Sequence, residues 1–104
     1  MGNNIILFAT KKGKKVTMLE KADTLIVYDM NTGEKTQKEN PLPYGLSRLE
    51  ELFGEIDPSI IIVSDMDEEL EYLVEENGVK VIKIGEKELD ELIDYLFGSN
   101  MVVK

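Results

Sequence analysis

The chain has 104 residues, is 42% hydrophobic and 32% charged, carries a formal net charge of −9, and contains neither histidine nor cysteine. That length supports one domain, Met1 to Lys104, with a single core, and the composition is that of a globular chain. Without thiol or imidazole, the sequence excludes disulfides, thiolate-held clusters, His-ligated zinc and catalysis by Cys or His. Carboxylate, lysine, hydroxyl, thioether and backbone groups remain for chemistry.

The charge is uneven. Residues 1–40 sum to +2 and residues 41–104 to −11, which argues against nucleic acid and anionic membrane as general partners. No run approaches the roughly 20 apolar residues of a membrane span, and the first residues lack the basic region and long apolar core of a secretory signal. A cytoplasmic location is the expectation.

Asn4 to Thr10 reads as a first strand with the buried run Ile5-Ile6-Leu7-Phe8. Lys11-Lys12-Gly13-Lys14-Lys15 then forms a turn, since Gly13 tolerates a positive φ. Val16-Thr17-Met18-Leu19 is open between a short strand and a loop. Thr24 to Met30 is a strand with Leu25, Ile26, Val27 and Tyr28 as its core. A turn at Asn31-Thr32-Gly33 leads into a polar strand, Glu34 to Glu39, whose Lys35 and Lys38 suit an exposed edge. Asn40-Pro41-Leu42-Pro43-Tyr44-Gly45 is linker-like. Ser47 and Glu50 have capping-box spacing, and the helix after them turns Leu46, Leu49, Leu52 and Phe53 inward and stops at Gly54.

The organising stretch is Ile60-Ile61-Ile62-Val63-Ser64-Asp65-Met66-Asp67. Its β-branched run suits a strand, Ser59 to Ser64, covered on both faces, and the polar residues after it suit a helix start. Asp65 and Glu68 again have capping-box spacing. Leu70, Leu73 and Val74 form the buried stripe of this second helix, closed by Asn77-Gly78. Val79 to Ile84 is a strand whose Lys80 and Lys83 suggest a second edge. Glu86 to Phe97 is a third helix with Gly98 as its cap, and the tail Ser99 to Lys104 is expected to fray.

A meander followed by helix–strand–helix–strand–helix predicts an α/β domain with parallel pairing in its second half. Right-handed crossovers favour five strands in the order 3-2-1-4-5, flanked by three helices, with the third antiparallel to the second. This mixed sheet resembles the ribonuclease H-like architecture. Ligands of open α/β sheets bind beyond the carboxyl ends of the strands, where the loop Lys11–Asp23 should lie beside Ser64–Asp67.

The order of motifs resembles the dinitrogenase iron–molybdenum cofactor-binding family from about Asn4 to Phe97. The resemblance rests on Ala22-Asp23-Thr24-Leu25-Ile26-Val27-Tyr28-Asp29, Asn31-Thr32-Gly33-Glu34, Glu39-Asn40-Pro41, Ile56-Asp57-Pro58 and Glu76-Asn77-Gly78-Val79-Lys80-Val81. It implies a small non-enzymatic carrier or accessory protein with an iron–molybdenum cofactor or precursor as cargo. The family's Ser-Glu-His-Phe-Gly-Arg-Ala run corresponds to Val16–Ala22, which sets Met18 at the histidine and Lys21 at the arginine. Its Gly-rich loop corresponds to Ser64–Glu68. The implied cofactor-contacting positions are therefore Met18, Lys21, Ser64, Asp65 and Met66. The missing histidine implies that cofactor binding has been lost.

Each candidate also has a plainer reading. Ser64-Asp65-Met66-Asp67-Glu68 serves a hard cation such as Mg²⁺, with help from Asp29, or simply caps a helix; capping is favoured because Asp29 should lie at the far end of its strand. The lysine-rich turn contacts an acidic partner or nucleic acid, or is a solvated loop, the favoured reading because no stacking aromatic is interleaved with it. Met18 and Met66 are soft ligands or, preferably, gap-filling core. Carrier or accessory protein is thus the leading reading, against a partner-binding regulatory module and a Mg²⁺-dependent phosphate-transfer enzyme.

Overall fold

A computed structural model of the chain describes residues 4–98. Its centre is β1, Ile5–Lys11. On one side β1 pairs antiparallel with β3, Thr24–Asp29, from Ile5↔Asp29 to Thr10↔Thr24. On the other it pairs parallel with β5, Ile60–Val63, from Ile6↔Ile60 to Phe8↔Ile62. The sheet ends in β4, Glu34–Glu39, against β3, and in β6, Lys80–Lys83, against β5.

Alternate residues of a strand face opposite sides, and both sides of β1 are buried. Leu7 and Ala9 pack with Leu25, Ile61 and Val63 beneath α1, Leu46–Ile56, and α2, Glu68–Glu76. Ile6 and Phe8 pack with Ile26, Tyr28 and Ile62 beneath α3, Leu89–Ile93, and the π-helical turn that continues it, Asp94–Gly98. Burying a side chain such as Leu7 or Phe8 contributes about 2 kcal/mol, so the apolar run Ile5–Phe8 fixes which strand lies in the middle. The lysine-bearing strands β4 and β6 stand at the two ends of the sheet.

Several sequence expectations are corrected. Among the described residues six strands form, not five: the path is β4-β3-β1-β5-β6, and β2, the two residues Lys15–Val16, adds a branch on β1. The open stretch Val16–Leu19 thus splits into the end of β2, an extended link and the start of a 3₁₀ turn at Leu19–Lys21. Ser47 does not cap α1. A second 3₁₀ turn, Leu42–Tyr44, feeds the helix through Gly45 at φ 124°, and Ser47 already lies inside it. Gly54 does not end α1 either; Asp57 does, in the left-handed conformation at φ 50° just before Pro58. The α-helical part of the third helix begins at Leu89 rather than Glu86, because Lys87 and Glu88 are drawn into pairing with Lys15 and Val16. The tail Ser99 to Lys104 lies outside the described residues.

Candidate functional site

The loop between β1 and β3 is built from the end of β1 outward. The Thr10 hydroxyl, fully buried, donates to the Thr24 carbonyl at 2.8 Å and accepts from the Gly13 N–H at 3.0 Å. Lys12 at φ 55° and Gly13 at φ 71° turn the chain there. The Lys12 N–H donates to Asp23 Oδ1 at 2.6 Å, and the Thr24 hydroxyl donates to the same oxygen at 2.9 Å. That N–H bond first, and the hydroxyl next, hold the Asp23 carboxyl below its usual range. The turn is therefore pinned at its base while Lys11, Lys12, Lys14 and Lys15 point into solvent.

Past β2 the main chain crosses the carboxyl end of the sheet. The Thr17 N–H donates to the Ala9 carbonyl at 2.9 Å, and the Thr17 carbonyl accepts from the Ser64 N–H at 3.1 Å. Thr17 thus bridges β1 to the residue that follows β5. The same loop is tied to the start of α3, with Val16 N–H donating to Lys87 O at 2.8 Å and Leu89 N–H to Lys14 O at 2.7 Å. The loop and Ser64 meet, but through backbone, so the place expected for a crevice is spanned by peptide groups.

The sequence candidates distribute unevenly around this bridge. Met18 follows Thr17 directly, is half-buried, and caps the first 3₁₀ turn; Lys21, exposed, ends that turn and donates its N–H to Met18 O at 3.0 Å. Ser64 is half-buried at the end of β5. Asp65 is exposed and spends Oδ1 on the N–H of its neighbour Met66 at 2.8 Å, so it does not cap α2. Asp67 does that, accepting from the Glu69 N–H at 3.2 Å. Met66 is only 4% exposed and belongs to the core under α1 and α2, the gap-filling role open to a thioether. Lys83 bonds Glu71 at 2.9 Å, and that bond and charge, with Asp65 and Glu68 adding, raise the lysine above its usual range.

Asp29 lies elsewhere. It pairs with Ile5 at the amino end of β1, while Ile6 is level with the start of β5, so Asp29 and Asp65 stand roughly 15–20 Å apart along the strands. Asp29 instead accepts the Asn31 N–H at 2.8 Å and shapes the β3–β4 turn. Among the described residues no three Asp or Glu side chains converge to hold a metal ion.

One residue that sequence reasoning passed over as linker holds this region together. Asn40 is 1% exposed. Its amide donates to Leu19 O at 2.9 Å and Ala22 O at 2.8 Å, and its Oδ1 accepts from the Leu42 N–H at 3.0 Å. It therefore staples one 3₁₀ turn to the other and fixes the backbone that carries Met18 and Lys21. The signal was present: an Asn before Pro, inside Glu39-Asn40-Pro41, offers a short amide exactly where helix and strand geometry cannot pair the backbone.

These features define an α/β protein with a mixed six-stranded sheet covered by helices on both faces, and a carboxyl edge laced by its first long loop. Among solved structures it is similar to a protein described as PH0822, with a TM-score of 0.75 and 11% identity over 91% of each chain. It is also similar to a solution structure from Thermotoga, TM1290, provisionally described as a NifB protein of the DUF35 family, with a TM-score of 0.70 and 19% identity over 89% of this chain and 86% of that one. At these identities the likeness establishes the fold. No family model and no curated protein matches the chain by sequence. Among the described residues no helix is long and apolar enough to cross a membrane.

Proposed function

We propose that this chain is a non-enzymatic, cytoplasmic accessory protein of ribonuclease H-like fold, related to the iron–molybdenum cofactor-binding family but no longer a high-affinity holder of its cluster. The observation that carries the reading is the Thr17 bridge. A backbone wedge joins Ala9 and Ser64 where open sheets of this kind offer their ligand crevice, and the thioether of Met18 stands beside it. The structural neighbour provisionally described as NifB supports a nif-related ancestry.

The donors at this edge do not fit a cluster held through imidazole or thiolate. They are one half-buried thioether, one exposed ammonium, one half-buried hydroxyl and a carboxylate already bonded to Met66 N–H. Asp65, Asp67 and Glu68 add negative charge against an anionic cargo. Two like charges at about 4 Å repel by roughly 4 kcal/mol at an effective dielectric near 20, or about three decades of affinity. The test is anaerobic titration of the chain with an iron–sulfur-based cluster, beside Met18→His. Weak binding that the histidine strengthens supports the reading, whereas submicromolar binding by the unaltered chain removes it.

A further inference from the structure

Between the second 3₁₀ turn, the start of α1 and α2 lies a shallow, open groove of about 460 Å³. Leu42 from the second 3₁₀ turn, Leu46 from the start of α1, and Leu70 and Leu73 from α2 line it. All four are half-buried. Leu42, Leu46 and Leu70 pack inward on the core. Three carboxylates, Glu20, Asp67 and Glu69, complete the lining. Among the described residues the ion pairs are Lys15–Glu86, Lys35–Asp90 and Lys83–Glu71, so none of these three acids has a cation within 4 Å. The apolar surface continues along α2 to Tyr72, which is 65% exposed and lines a neighbouring hollow with Glu68, Glu69 and Leu73.

Four leucines from three elements, ringed by carboxylates that have no cation within 4 Å among the described residues, describe one occupant by complementarity. We propose that the groove docks a cationic amphipathic segment of a partner protein, with apolar side chains seated on the leucines and Lys or Arg facing Glu20, Asp67 and Glu69. A helix with anchors at i, i+3/i+4 and i+7 meets both demands. Acidic segments are disfavoured by the rim, and uncharged ones gain nothing from it. The inference deepens the accessory reading by naming the chemistry of a partner, and it involves no cluster, so its test and the cluster titration fail independently.

The probe is a fluorescein-labelled Leu/Lys amphipathic peptide of about 14 residues, roughly four helical turns, compared with its Leu/Glu counterpart. Binding is read by anisotropy and located by amide chemical shifts on ¹⁵N-labelled protein. The expected result is saturable binding of the Leu/Lys peptide alone, with shifts at Leu42, Leu46 and residues 67–73. Glu20→Lys with Glu69→Lys should weaken it about tenfold, since rim pairs are individually modest but are here reversed in sign. Glu51→Lys with Glu55→Lys, an equal change of net charge on residues lining a separate groove with Arg48, should leave affinity within about twofold. Leu73→Ser should weaken binding without altering its salt dependence. Circular dichroism verifies that each variant is folded. The proposal is overturned by absence of binding, by equal loss in the two charge-reversed variants, by shifts elsewhere on the surface, or by spermine producing the same shifts at equal affinity.

Discussion

Replacing Asn40 by alanine should cost about 3 kcal/mol of stability. The side chain is 1% exposed and makes three hydrogen bonds to backbone groups, two donated and one accepted. Each bond contributes about 1 kcal/mol net, and a buried group left unpaired adds to the loss. Leu19 O retains a bond from Ala22 N–H at 3.3 Å, which limits that addition. With a urea slope of about 1.5 kcal/mol per molar, the unfolding midpoint should fall by about 2 M. Urea titration followed by circular dichroism measures this directly. A fall of less than about 0.5 M would refute the staple, because water would then be serving the same backbone groups. Asn40→Asp refines the test. It keeps the bond from Leu42 but turns a carboxylate toward two carbonyls, which should raise its folded pKa above the unfolded value of about 3.9. Its penalty should therefore be smaller at pH 4 than at pH 7, growing as pH rises through that interval.

Two further outcomes follow from the same region. Asp23 has a lowered folded pKa, so its contribution is present above the unfolded value of 3.8 and lost as pH falls through the folded one; Asp23→Asn should lower Tm at pH 7 and converge with the unaltered chain in acid, as a Tm series against pH would reveal. Met66→Ala, at a site 4% exposed, should cost about 2–5 kcal/mol, whereas Met18→Ala, half-buried next to Thr17, should cost about 1 kcal/mol or less; equal losses in chemical denaturation would place both thioethers in the core.

What the sequence disclosed followed from local rules. The apolar run Ile5–Phe8 and the β-branched run Ile60–Val63 are interior strands because burial on both faces demands such runs. Asn77-Gly78 closes α2, with Gly78 at φ 84°, because few residues tolerate that conformation. Helix starts were read less well, for a physical reason. Asp65 and Asp67 both stand ahead of α2, and spacing alone cannot tell that Asp65 bonds its neighbour's N–H while Asp67 takes the cap. The third helix was read too long because the contact that withholds its first residues, Lys15 against Glu88, joins segments far apart in sequence. The candidate site shares that limit. The approach of Lys11–Asp23 to Ser64 was legible from topology; Thr17 as the bridging group and Asn40 as the staple depend on hydrogen bonds that no periodicity encodes.

The central proposal is an accessory protein whose sheet edge, bridged by the Thr17 backbone between Ala9 and Ser64, offers no strong cluster ligand. The most direct measurement is anaerobic purification of the chain from its native background, followed by iron and molybdenum analysis and native mass spectrometry. The account predicts a mass equal to that of the polypeptide, with metal far below one atom per chain. A stoichiometric metal content with the corresponding mass increment, lost on Met18→Ala, would contradict it.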